Sequence, residues 1–286
     1  MYGCIFTGRV TRPLTASVID ILLLGLIGIV VGGVGTLLGV GGGFIVVPVL
    51  LSFYNFAPGN AAGTSLLVVL MNAISGTAAY LRQRRVDLRM GLGFTLGTIP
   101  GSALGSISTT LVSGGSFRTY FALMLIFTAL YMVFRHRPHS GGSGLLKNGQ
   151  NRRLVDQTGR EHLYIFNPYL AVISSLLAGF IAGFFGVGGG IVHVPIMIIL
   201  FGVPAHIATA TSHFILTLTA ASGIATHALL GHIEPLTGGI IAAGALLGAQ
   251  IGAKVSARVA GRAIELLFAV MLIAIAVNLL LQSMTA

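Results

Sequence analysis

Charged residues are scarce in this chain: Asp, Glu, Lys and Arg together make up 8 % of its 286 residues. A soluble domain carries about 25 %, so a water-facing surface cannot be clothed from this composition. Tryptophan is absent, and only 6 residues are acidic. No acidic residue falls at the centre of an apolar run, which argues against a cation carrier or a carboxylate proton relay and suits an anion path. The single cysteine, Cys4, excludes an internal disulfide and any CxxC-type metal or redox site. HExxH, GxSxG and Walker GK[ST] motifs are all missing, as is any His/Cys/Asp cluster at ligand spacing. Enzymatic chemistry, a bound metal and a cofactor are therefore not expected.

What the chain does have is oil and glycine: 55 % hydrophobic residues and 41 glycines. Apolar runs of about 20 residues recur, the length a helix needs to cross a bilayer. In the first half the expected segments are 17–38, 44–56, 60–81, 89–112 and 117–134. In the second half they are 168–185, 191–203, 205–230, 235–257 and 262–283. The fold class expected is an all-α polytopic membrane protein of about ten helical segments. Its organisation is a first repeat over 1–134, a basic cytoplasmic loop over 135–167 that reads as flexible, and a second repeat over 168–286. The N-terminus imitates a signal peptide, with Arg9 and Arg12 before an apolar stretch, but that stretch runs on and reads as a retained first helix.

The net charge of +10 does not signal nucleic acid. Nearly all Lys and Arg sit in short connectors and the central loop, where basic residues hold helices on the cytoplasmic side. The partners expected are a lipid bilayer, in the cytoplasmic membrane, and a small anion. Nothing in the sequence speaks to oligomeric state.

The chain repeats itself. Gly39-Val40-Gly41-Gly42-Gly43-Phe44-Ile45-Val46-Val47-Pro48 returns as Gly186-Val187-Gly188-Gly189-Gly190-Ile191-Val192-His193-Val194-Pro195, displaced by 147 positions (186 − 39). The same shift carries Thr64-Ser65 onto Thr211-Ser212, Ser75-Gly76 onto Ser222-Gly223 and Asp87 onto Glu234. It also carries Gly97, Gly101 and Gly105 onto Gly244, Gly248 and Gly252. Two equivalent halves follow from so many coincidences at one offset.

Connector charge then relates the halves. Arg82, Arg84, Arg85 and Arg89 crowd one connector, whereas its counterpart around His232 and Glu234 holds no Lys or Arg. One connector later the bias swaps, to Lys254, Arg258 and Arg262 in the second half. Opposite bias in equivalent loops places them on opposite sides of a membrane. The expectation is therefore an inverted repeat, five segments plus five, with both termini outside. Segments 44–56 and 191–203 are short enough to be half-helices.

Backbone that leaves helical geometry inside a membrane must line a polar cavity or be buried in protein. Discontinuous helices at matched positions of inverted halves point to a midplane substrate site. Glycine permits φ > 0 and close approach, and the following helix begins with free N–H groups and partial positive charge. Gly41, Gly42, Gly43, Gly188, Gly189 and Gly190 are thus candidate anion-binding residues; close helix packing is the alternative use of such glycines.

The paired GVGGGxxxVP motifs, each followed by a Thr-Ser element, resemble those of the sulfite exporter TauE/SafE family of membrane permeases, over essentially the whole chain. That resemblance implies a permease for sulfur oxyanions or organosulfonates such as sulfite. His193 and His213 are not assumed to be shared with it.

Thr64, Ser65, Thr211 and Ser212 offer hydroxyls to an anion, or bond backbone carbonyls instead. His193 and His213 lie in apolar surroundings and offer a positive charge or a proton relay, or a single hydrogen bond to a carbonyl. Asn72 and Gln250 are cavity liners or interhelical bonds. His227 and His232 are expected near an interface, and His136, His139 and His162 in the loop. The resulting reading is a secondary permease exporting a small sulfur-containing anion by alternating access. An anion channel and a coupled importer are its alternatives.

Overall fold

The computed structural model describes residues 18–134, 149–157, 159–256 and 261–284. Expectations attached to Cys4, Arg9, Arg12, Arg135, His136, Arg137, His139, Lys147 and Arg258 lie outside those residues. The first half runs α1 (Val18–Leu38), α2 (Gly43–Ser52), α3 (Pro58–Arg82), α4 (Leu88–Ser108) and α5 (Gly114–Phe134), with a short 3-10 turn after α4. Two strands follow, β1 (Gln150–Val155) and β2 (Glu161–Phe166). The second half is α6 (Pro168–Phe185), α7 (Gly190–Phe201), α8 (Ala205–Leu229), α9 (Pro235–Val255) and α10 (Gly261–Met284).

Among the described residues, α1, α3, α6, α8 and α9 are each long and apolar enough to cross a membrane. The outward faces of the bundle are oily: Leu96 of α4, Phe127 of α5, Ile173 of α6 and Leu247 of α9 all stand exposed, as a lipid-facing surface requires. The chain is a multi-pass, essentially all-α membrane protein. At 1.5 Å per residue, the 10 residues of α2 reach about 15 Å and the 12 of α7 about 18 Å. A bilayer core is about 30 Å thick. Both are half-helices.

Glycine decides which helices touch. On α4, a methyl group at Gly97, Gly101 or Gly105 would lie 2.1–2.2 Å from the carbonyl oxygens of Val172, Leu176 and Phe180 on α6. Gly179 and Gly183 of α6 press back in the same way on the carbonyls of Thr98 and Ser102. On α9, Gly244, Gly248 and Gly252 meet the carbonyls of Gly25, Ile29 and Gly33 on α1. Backbones approach this closely only where no side chain intervenes, the small-xxx-small mode of membrane helix pairing. The two sets are equivalent under the 147-residue shift with the halves exchanged. Position 25 maps to 172, 29 to 176 and 33 to 180, so the α4–α6 contact is repeated reciprocally as α1–α9.

The central stretch departs from the expected flexible loop. Within it β1 and β2 pair as an antiparallel hairpin, with Arg152 opposite Tyr164 and Gln150 opposite Phe166. Alternation explains it: Tyr164 and Phe166 are buried while Glu161 and Leu163 face out, and Gly159 takes the turn at φ +79°. His162, expected in a loop, is on β2 beside Asp156.

The hairpin is fastened to the start of α4. The Arg152 guanidinium donates to both carboxylate oxygens of Asp87, at 2.7 and 3.2 Å, and the Tyr164 hydroxyl donates to the same carboxylate at 2.5 Å. Asp87 also caps α4 by accepting from the Met90 amide. Burial alone would raise the Asp87 pKa, but hydrogen bonds from Arg152, the Met90 amide and Tyr164 outweigh it and hold the carboxyl below its ordinary 3.8.

Candidate functional site

Each glycine motif ends one helix and starts another by forcing left-handed backbone. Gly39, Gly41 and Gly42 have φ of +82°, +83° and +84°, and their equivalents Gly186, Gly188 and Gly189 have +72°, +78° and +82°. Any L side chain is disfavoured there. Gly42 then caps α2 by accepting from the amides of Ile45 and Val46, and Gly189 caps α7 by accepting from Val192 and His193. The first break turns the chain back: Gly42 lies against Val31, and Gly35 against Gly42, so α2 starts beside α1 rather than beyond it.

The two breaks meet. A methyl at Gly43 would lie 2.5 Å from the Gly186 carbonyl oxygen, and one at Gly190 would lie 2.3 Å from that of Gly39. Two side chains pack on both breaks at once, Val69 of α3 and its equivalent Leu216 of α8. Every residue from Val40 to Phe44 and from Gly186 to Ile191 is buried. The N-terminal ends of α2 and α7 thus converge in the protein interior, between α3 and α8.

The Thr-Ser elements fasten this crossing. Ser65 donates its hydroxyl hydrogen to the Gly186 carbonyl at 2.8 Å, and Ser212 donates to the Gly39 carbonyl at 2.8 Å. Thr64 accepts from the amide of Glu234, and Thr211 from the amide of Asp87, each at 3.0 Å. Ser binds the opposite half's break, and Thr binds the opposite half's connector. All four hydroxyls therefore engage backbone of the other repeat, in reciprocal pairs.

His193 sits at the second break and has partners on both ring nitrogens. Nδ1 is 2.9 Å from the Gly189 carbonyl, and Nε2 is 3.1 Å from the Thr98 hydroxyl. A carbonyl only accepts, so Nδ1 carries the hydrogen. His213 is one turn into the cluster below the breaks, with Nδ1 3.2 Å from the Thr209 carbonyl. Asn72 accepts from the Thr36 hydroxyl at 2.9 Å, beside Tyr80, whose hydroxyl donates to the Thr36 carbonyl at 2.8 Å. Gln250 is elsewhere: its amide donates to the Ser75 carbonyl and hydroxyl, stitching α9 to α3.

Thr36, Gly76 and Tyr80 join the polar cluster without having been singled out from sequence. Gly76 was visible only as one glycine of the repeat; its role appears in space, where the His213 ring fills the position of a side chain there. On the other side of the breaks, His227, the equivalent of Tyr80, has Nε2 3.2 Å from the carbonyl of Gly183, the equivalent of Thr36. Its Nδ1 lies 3.2 Å from His232 Nδ1, so these two residues face each other rather than lipid.

Among the described residues no group of three or more His, Cys, Asp or Glu is arranged to hold a metal ion. The arrangement instead offers two facing helix N-termini, whose partial positive charge favours an anion.

The model of the sulfite exporter TauE/SafE family matches residues 24–279. The chain is 31 % identical over 268 residues to the probable membrane transporter protein YunE of Bacillus subtilis, covering 91 % of this chain and 97 % of that one. It is 26 % identical over 211 residues to a probable membrane transporter protein of Methanocaldococcus jannaschii, 72 % of this chain and 71 % of that one. With the probable membrane transporter protein YfcA of Escherichia coli the identity is 24 % over 209 residues, 73 % of this chain and 70 % of that one. No solved structure matches.

Proposed function

The chain belongs to the sulfite exporter TauE/SafE family and is a membrane transporter, and we propose that it exports a small sulfur-containing anion, such as sulfite or an organosulfonate, by alternating access around the two glycine breaks. The observation that carries this reading is the meeting of the breaks: Gly43 on the Gly186 carbonyl and Gly190 on the Gly39 carbonyl. Two half-helix N-termini from equivalent halves supply backbone N–H donors and positive dipole ends without a buried charge. Gly41, Gly42, Gly43, Gly188, Gly189 and Gly190 are the proposed contacts, with Ser65, Ser212 and the Thr36–Asn72–His213 cluster as the neighbours an anion would meet on release. The engagement of Ser65 and Ser212 with opposing carbonyls fits a closed state, opened when one half rocks on the other.

The reciprocal packing of α1 on α9 and α6 on α4 supports the inverted repeat. Each half keeps an odd number of crossings if α1 and α2 enter and leave on one side, leaving α3, α4 and α5. The arginines that end α3 and begin α4, together with Lys254 at the end of α9, gather at the end where the hairpin docks. By their charge that end is cytoplasmic.

Direction follows from magnitude. One elementary charge moved through 100 mV is worth about 2.3 kcal/mol, roughly 50-fold in concentration. A negative interior therefore drives anions outward without a coupling ion. Radiolabelled sulfite loaded into proteoliposomes, with a potassium-diffusion potential of either sign, tests the proposal: saturable efflux accelerated by an interior-negative potential is expected. Absence of flux from monodisperse protein contradicts it, and unitary conductance steps in a planar bilayer replace the carrier with a channel.

A further inference from the structure

The cluster beside the breaks contains two buried polar atoms with no partner among the described residues: Nδ2 of Asn72 and Nε2 of His213. Both side chains have 0 % exposure. Leaving such atoms unpaired forfeits their hydration with nothing in return, so their persistence calls for a ligand. Their chemistry is fixed by the partners they do have. His213 Nδ1 faces the Thr209 carbonyl at 3.2 Å and must donate, which leaves Nε2 a bare lone pair in the neutral ring. Asn72 Oδ1 accepts from the Thr36 hydroxyl at 2.9 Å, which leaves Nδ2 a donor. One acceptor and one donor are therefore unmatched on the same side of the breaks.

Gly76, one helical turn from Asn72, makes the room the imidazole occupies: a methyl group there would lie 2.5 Å from His213 Cδ2, 3.0 Å from its Nε2 and 3.2 Å from the Thr36 methyl. The Tyr80 ring faces the imidazole edge-on at 5.4 Å, with its hydroxyl committed to the Thr36 carbonyl at 2.8 Å and close to Ser256 at 3.3 Å. Among the described residues, Thr36 from α1, Gly76 and Tyr80 from α3, and Thr209 from α8 face the ring, and of these Tyr80 is titratable. The shifted equivalents of Asn72 and His213 are Thr219 and Leu66, so the pair is not duplicated in the other half.

We propose that Asn72 and His213 form a subsite for an oxyanion that still carries one acid proton: its O–H donates to His213 Nε2 while a second oxygen accepts from Asn72 Nδ2. Moving that proton onto Nε2 gives the fully ionised oxyanion beside an imidazolium, with atoms and charge unchanged. Proton and anion thus occupy the subsite together. The substrate class is narrowed to monoprotonated oxyanions of the hydrogensulfite type, against sulfonates, which bring no acid proton. This rests on the transport reading above.

Two measurements test it. In proteoliposomes with an entrapped pH indicator, wild-type protein is expected to carry a proton with sulfite. His213→Leu and Asn72→Leu, each monodisperse by gel filtration, are expected to lose sulfite flux by about tenfold, the worth of one charge-assisted hydrogen bond. Wild-type rates in both variants overturn the subsite and leave water as its occupant. Absent wild-type flux overturns the transport reading and the subsite with it. The second measurement needs no variant: hydrogensulfite is expected to raise the melting temperature of the wild-type protein more than methanesulfonate does, and an equal shift from both overturns the inference.

Discussion

The Ser65 hydroxyl donates to the Gly186 carbonyl across 121 positions of sequence, and Ser212 returns the bond to Gly39 across 173, both at 2.8 Å. Each half thereby holds the other's helix break closed. A buried hydrogen bond of this kind contributes about 1 kcal/mol net. Ser65→Ala and Ser212→Ala are expected to destabilise the protein by about that amount each, and nearly equally. Unfolding in a graded SDS series checks this; a cost confined to one of the two would mean the pair is not reciprocal in energy.

Gly190 has no room for a side chain, since the Gly39 carbonyl would be 2.3 Å from a methyl there. Gly190→Ala and Gly43→Ala are expected to abolish anion flux by forcing the breaks apart. Gly239 is the control. Nothing lies within 4 Å of a methyl there, and alanine in a helix is favoured over glycine by about 1 kcal/mol, so Gly239→Ala is expected to transport normally and melt at or above the wild-type temperature. Flux and melting temperature measured on the same three preparations separate the effects.

The hairpin should come loose in acid. The Asp87 carboxyl has its pKa lowered in the folded protein, because hydrogen bonds from Arg152, Met90 and Tyr164 outweigh the opposing effect of burial. A depressed pKa contributes stability that is present above the unfolded-state value, about 3.9, and is lost as pH falls through the folded one. Amide exchange in β1 and β2 is expected to rise below about pH 4. Asp87→Asn, which keeps a side-chain oxygen to cap α4, is expected to give the same fast exchange at neutral pH while α4 itself stays protected.

The fold was largely legible because its determinants are local or repeated. Segment 168–185 coincides with α6, and the glycine spacings of α4 and α9 mark the faces that pack. The 147-residue shift paired Thr64-Ser65 with Thr211-Ser212, but could not show that their hydroxyls reach across to the opposite half, because those partners are more than 100 positions away. The hairpin was missed for a different reason. Its polar composition masks the alternation of Tyr164 and Phe166, and its stability comes from Asp87, 65 positions before Arg152. His193 and His213 looked alike as lone histidines in oil. Only their neighbours distinguish them: His193 is partnered at both nitrogens, His213 at one.

The meeting of Gly43 with Gly186 and of Gly190 with Gly39 is the centre of the proposed site, and locating a bound anion tests it most directly. Selenite, an anomalously scattering counterpart of sulfite, is the probe for crystals grown at saturating concentration. Anomalous density within hydrogen-bonding reach of the amides of Gly42 and Gly43 or of Gly189 and Gly190 is the expected result. Density confined to another part of a protein that transports selenite would contradict a site built on the breaks.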